Sequence, residues 1–109
     1  MTAAGISARG EGRYAISGEL TFTTVPELWS SSFGAVDGGS VQLDLAGITR
    51  VDSAGIALLI ELLRAVRGRG GEVSLVNASP QLMAIATVSG LDGVLPFVVE
   101  DKSTEKLGA

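Results

Sequence analysis

The chain has 109 residues, a formal net charge of −4 and 46% hydrophobic residues, with no cysteine and no histidine. That length suits one domain, whose core would bury roughly two-thirds of the unfolded surface without covalent staples. Without cysteine there is no disulfide framework or thiolate metal site; without histidine the commonest general base, metal ligand and pH switch are gone. The acidic balance argues against nucleic acid or an anionic membrane surface as the main partner.

Met1-Thr2-Ala3-Ala4-Gly5-Ile6 lacks a basic region followed by an apolar run, so no secretory signal is expected. The longest apolar stretch, Val51 to Leu63, is broken by Asp52, Ser53 and Glu61. It falls short of the about 20 apolar residues a membrane span requires. A cytoplasmic protein is the expectation, with no direct membrane insertion.

Ile6-Ser7-Ala8-Arg9 and Arg13-Tyr14-Ala15-Ile16 flank Gly10-Glu11-Gly12, which predicts an opening β-hairpin. Gly18-Glu19-Leu20-Thr21 leads out of it. Thr24-Val25-Pro26-Glu27 announces a helix, with a Thr cap, a Pro in the first turn and a Glu three residues on. Val25, Leu28, Trp29, Phe33 and Val36 follow at helical spacing, and Gly38-Gly39 ends it. Val41-Gln42-Leu43-Asp44-Leu45 alternates as a strand does. A second helix is expected from about Ala54 to Arg67, stopped by Gly68-Arg69-Gly70-Gly71. Glu72-Val73-Ser74-Leu75-Val76 predicts a further strand. Ser79-Pro80 opens a third helix, with Leu82, Met83, Ile85, Ala86 and Val88 as its apolar face and Gly90 as its stop. Val94 to Val99 is a final short strand, which Pro96 places at an edge or makes irregular. Residues 99–109 are a charged, small-residue tail. This alternation of strands and helices implies an α/β domain with parallel strand pairs.

The most informative stretch is Val51-Asp52-Ser53-Ala54-Gly55-Ile56-Ala57-Leu58-Leu59-Ile60, where a strand end, a polar turn and an apolar helix meet. Asp52 and Ser53 are placed to cap the free N–H groups of the helix, at about 1 kcal/mol for such a cap. Projected at about 100° per residue, Ile56, Leu59, Ile60, Leu63 and Val66 form one face, read as the core. Ala54, Leu58, Glu61 and Ala65 fall opposite, with Leu62 at the edge of that outer face. A purely solvated face would be polar. This one carries small residues, which admit a partner backbone, and Leu58 as an anchor. Arg64, Arg67 and Arg69 are either plain solvated charges or complements to an acidic partner.

Chemistry is hard to build here. A nucleophile–base pair would need Lys or a carboxylate, and Lys102 and Lys106, the only lysines, lie in the tail. Asp44 and Asp52 could pair, but Asp44 alternates with strand residues that face the core. Gly68-Arg69-Gly70-Gly71 follows a helix and does not open one, so it lacks the amides of a phosphate loop. No enzyme, catalytic residue, metal site or cofactor is expected.

The stretch from Val41 to Ile60 resembles the signature of the STAS domain, shared by sulfate transporters and anti-sigma factor antagonists. The resemblance runs from about Ile6 to Val98 and implies a single STAS-like α/β domain: a small, mostly parallel sheet with an N-terminal hairpin and about three packed helices. In anti-sigma factor antagonists the residue before the signature Gly is a phosphorylated Ser or Thr. Here that position is Ala54, which has no hydroxyl, although Ser53 stands beside it. Asp52-Ser53-Ala54-Gly55-Ile56-Ala57-Leu58-Leu59 is more similar to the MlaB-like group, the small STAS subunits of the bacterial phospholipid transporter that maintains outer-membrane lipid asymmetry. Ser17-Gly18-Glu19-Leu20, Pro26-Glu27-Leu28-Trp29 and Val94-Leu95-Pro96 resemble further segments of that group.

The resemblance implies a non-enzymatic accessory subunit. It would bind the ATPase subunit of an ABC transporter, within a complex that includes permease and periplasmic lipid-binding subunits, through Asp52, Ser53, Ala54, Ala57, Leu58, Glu61 and Leu62. An anti-sigma factor antagonist or similar partner-switching regulator is the alternative.

Overall fold

Two residues with positive φ, Glu11 at 56° and Gly12 at 75°, close the hairpin between β1 (Gly5–Gly10) and β2 (Arg13–Leu20). The pairing is antiparallel, with Ile6 opposite Ile16 and an irregularity between Ala8 and Gly10. The computed structural model describes residues 4–32 and 39–98. The expected helical positions Phe33 and Val36, Gly38, and the tail at 99–109 lie outside them.

Beyond the hairpin come α1 (Val25–Ser32), β3 (Val41–Val51), α2 (Ser53–Gly68), β4 (Val73–Val76) and α3 (Pro80–Val88). The sheet runs β1-β2-β3-β4; β2 pairs parallel with β3, and β3 parallel with β4. Among the described residues the domain is thus a four-stranded, mostly parallel sheet with an antiparallel hairpin and three helices. Val41, Leu43 and Leu45 are buried, while Gln42 and Ala46 between and beyond them are exposed and Asp44 is half-buried. One face of the sheet therefore carries the helices and the other faces solvent.

β3 is twice as long as the alternating run Val41 to Leu45 suggests. Its pairing with β2 continues to Leu20 opposite Val51, but Ala15 and Ser17 stand opposite Asp44 and Gly47. A second shift falls between Gly18 and Glu19, opposite Ile48 and Arg50. Each shift puts an extra residue on β3, and an extra residue breaks a period of two. The last predicted strand shrinks to one parallel bridge of Phe97 to Leu75 at the β4 edge. There the Leu75 N–H donates to Pro96 O at 3.0 Å and the Val98 N–H to Leu75 O at 2.8 Å.

Helix ends follow the local sequence. The Ser79 side chain accepts from Leu82 N–H at 3.1 Å, with Pro80 in the first turn of α3. At the other end of α2, Gly70 has φ +83° and Gly71 N–H reaches back to Val66 O at 3.0 Å. That left-handed residue lets the chain leave the helix while its last carbonyls keep partners.

The orientation of α2 differs from the projection. Leu58 is 2% exposed and Leu62 1%, so both are core residues and not members of an outer face. Ile60, assigned to the core, is half-buried. The apolar positions of α2 span an arc of about 200°, with Leu58 and Ile60 at its two margins. Either flank could have gone inward. α2 packs against α1 and α3 as well as β3 and β4, and this surround buries the Leu58 flank. The outward residues are Ser53, Ala57, Glu61, Arg64, Ala65, Arg67 and Gly68.

Candidate functional site

The polar turn stands where β2 and β3 both end, at the pair Leu20 and Val51. Asp52 has extended backbone, φ −126° and ψ −169°, as an N-cap residue requires. Its Oδ1 accepts Ala54 N–H at 2.9 Å, and its carbonyl accepts Gly55 N–H at 3.0 Å. Its Oδ2 accepts the backbone N–H of Phe22 at 3.1 Å, and its own N–H donates to Leu20 O at 3.1 Å. Asp52 is therefore both the cap of α2 and a tie to the loop that leads from β2 into α1.

That loop is itself internally bonded. Thr21 O accepts the N–H groups of Thr24 at 3.0 Å and Val25 at 2.9 Å. Thr24 Oγ1 accepts Thr21 N–H at 3.0 Å and donates to Glu19 O. Thr24 O accepts Leu28 N–H at 3.0 Å, so Thr24 directly precedes the first turn of α1, with its hydroxyl turned back to the loop.

Gly55 is the reason the two loops can meet. A Cβ there would lie 2.7 Å from Leu20 O, 2.7 Å from Val51 Cγ2 and 2.8 Å from Leu20 Cβ. The first turn of α2 thus presses directly on the end of β2. Close approach of backbone to backbone is what glycine permits.

Of the seven residues expected at a contact, five remain near the surface. Ser53, Ala57 and Glu61 are exposed, and Asp52 and Ala54 are half-buried. Leu58 and Leu62 are removed from the set by their burial. Sequence reasoning missed Phe22, which is 72% exposed and held against Asp52 through its backbone. The signal available was a lone aromatic among threonines, Thr21-Phe22-Thr23-Thr24.

The surrounding charges are quiet. Arg64 pairs with Glu61 at 3.3 Å and Arg67 with Glu72 at 3.3 Å, both on the surface, where such pairs contribute little. Asp44 lies on the open face of the sheet. Its carboxyl accepts Asn77 Nδ2 at 3.0 Å and Ala46 N–H at 2.9 Å. The Asn77 hydrogen bond first, then that of Ala46, hold its pKa below the ordinary carboxylate value; partial burial works the other way, and Arg9 adds a smaller lowering. At the opposite end of the strands, a trough of about 470 Å³ is lined by Glu11, Arg13, Gln42 and Glu72 among others, away from the turn. Among the described residues, no three His, Cys, Asp or Glu side chains are grouped to hold a metal, and no helix is long and apolar enough to cross a membrane.

A capped Asp-Ser-Ala-Gly corner at the end of a parallel strand, on an α/β sheet opened by a hairpin, has relatives. The family model described as "Mlab, STAS domain" matches residues 6–99. The chain is 34% identical over 83 residues to the "Intermembrane phospholipid transport system binding protein MlaB" of Escherichia coli strain K12, covering 75% of this chain and 84% of that protein. It is 31% identical over 87 residues to the protein of the same name from Haemophilus influenzae, covering 74% and 83%. Among solved structures, an "anti-sigma-factor antagonist (STAS) domain protein" from Planctomyces limnophilus superposes with a TM-score of 0.72 at 23% identity, covering 97% of this chain and 100% of that one. At that identity the superposition speaks for the fold alone. The family match across nearly all of the sheet and helices, with relatives above 30% identity, settles the family: the chain belongs to the STAS domain family.

Proposed function

We propose that this chain is the small accessory subunit of an MlaB-type phospholipid transport complex. It acts by contact and not by catalysis. Its partner is the ATPase subunit of an ABC transporter, within a complex that includes permease and periplasmic lipid-binding subunits, and its place is the cytoplasmic side of the inner membrane, reached through that partner. The contact is the start of α2, with Ser53, Ala57 and Glu61 facing outward and Asp52 and Ala54 beside them. One observation carries the reading: the corner is built to be presented. Asp52 has both carboxylate oxygens engaged in holding backbone, Ser53 makes no side-chain hydrogen bond among the described residues, and Ala54 carries no hydroxyl for a switch. Two proteins named MlaB that align with this chain at 34% and 31% identity support it.

Co-purification from native membranes tests the proposal. An ABC-type ATPase should be recovered with the tagged chain; recovery of a sigma-regulating kinase and no ATPase would overturn it.

The second reading, a partner-switching regulator, draws on the exposed Ser53 hydroxyl as an alternative acceptor. Stoichiometric phosphate on Ser53 that changes with growth state, read by phosphopeptide mass spectrometry, would favour it over the first.

A further inference from the structure

We propose that Phe22 is the aromatic anchor of the docking site and that Asp52 is the positioning residue that holds it there. The partner surface is then an apolar concavity for the ring, bordered by a hydrogen-bonding group that meets Ser53. This rests on the reading of the α2 start as the contact with the ATPase subunit.

Three observations converge on it. Phe22 is 72% exposed, although it has no polar tip that would benefit from water. Its loop is not slack: Thr21, Thr24 and Asp52 tie the backbone on both sides of it at 2.9 to 3.1 Å. An aromatic on a bonded turn loses little further freedom when a partner closes over it, which is the condition under which a buried ring adds most to affinity. Finally, Phe22 and Ser53 emerge from paired strand ends, and one carboxylate joins them. Asp52 Oδ2 holds the Phe22 N–H and Oδ1 holds the α2 N-terminus one residue past Ser53. With each oxygen holding one of the two segments, Asp52 sets the spacing of the two contact residues.

The test is calorimetric titration of the full chain with the ATPase subunit recovered from native membranes. Phe22→Ala should weaken binding at least tenfold with an unchanged melting temperature, and Phe22→Leu should restore part of the loss. Asp52→Asn separates capping from tethering. An amide presents one accepting oxygen, enough to cap α2, while its NH2 group cannot accept a second N–H. This variant should remain folded and lose affinity. Combined with Phe22→Ala, it should bind no more weakly than Phe22→Ala alone, because both changes remove the same anchor. Native affinity in Phe22→Ala and Asp52→Asn, with binding abolished by Ser53→Arg, would overturn the anchor and leave the docking reading standing. Additive losses in the double variant would overturn the positioning role of Asp52. If Ser53→Arg also binds at native strength, or no ATPase is recovered, both the anchor and the docking reading fall.

Discussion

Gly55 and Leu20 approach so closely that a methyl group on the Gly55 Cα would sit 2.7 Å from the Leu20 carbonyl oxygen. That oxygen also accepts the N–H of Asp52 at 3.1 Å, so the end of β2, the cap and the first turn of α2 meet at one point.

Gly55→Ala is therefore expected to destabilise the domain at the upper end of the range for overpacking, about 3 kcal/mol, because the nearest atom is backbone and cannot rotate away. Thermal unfolding followed by circular dichroism should show a fall in Tm of about 10 °C or more. An unchanged Tm would mean that α2 does not press on Leu20 as described.

Leu58 distinguishes the fold from the docking face. Leu58→Glu puts a charge into a site that is 2% exposed, and should unfold a domain whose total stability is about 5–15 kcal/mol. Leu59→Ala, at another core position, should cost about 2–5 kcal/mol. Ser53→Arg, at an exposed position, should leave Tm within a degree or two while abolishing partner binding. Melting curves beside a binding assay check all three. A well-folded Leu58→Glu variant would contradict the rotation of α2.

Asp44 provides a pH test. Its pKa is lowered in the folded state, so it favours the fold above the usual value of 3.8, and that contribution is lost as the pH falls through the folded value. Stability is expected to hold from neutral pH down to about pH 4 and then decline. Asp44→Asn and Asn77→Ala should both flatten the acid limb relative to the natural chain, as read from urea midpoints across pH. An acid limb as steep in both variants as in the natural chain would show that the Asp44–Asn77 hydrogen bond is not what lowers the group.

Much of this architecture is legible in the residues themselves, because it depends on local chemistry. Gly10-Glu11-Gly12 turns the hairpin, Ser79-Pro80 starts α3, and Gly70 and Gly90 end helices; each works through the backbone freedom or side-chain oxygen of its own residue. Asp52 capping α2 belongs to the same class, since the bond spans two residues. The α/β order follows from the change of period between strand and helix.

What the chain could not reveal by itself depends on neighbours far away in sequence. The full length of β3 is hidden because two register shifts against β2 break its alternation. The buried flank of α2 is decided by α1, α3 and the sheet acting together, and an apolar arc wide enough to reach both Leu58 and Ile60 gives no local preference between them. The glycine of the signature has its reason in Leu20, thirty-five positions upstream, and the second oxygen of Asp52 has its partner in Phe22, thirty positions upstream. Local hydrogen-bonding and period determine which elements form. Which side of an element is covered, and which residue is left exposed beside the cap, is settled only when all the elements pack at once.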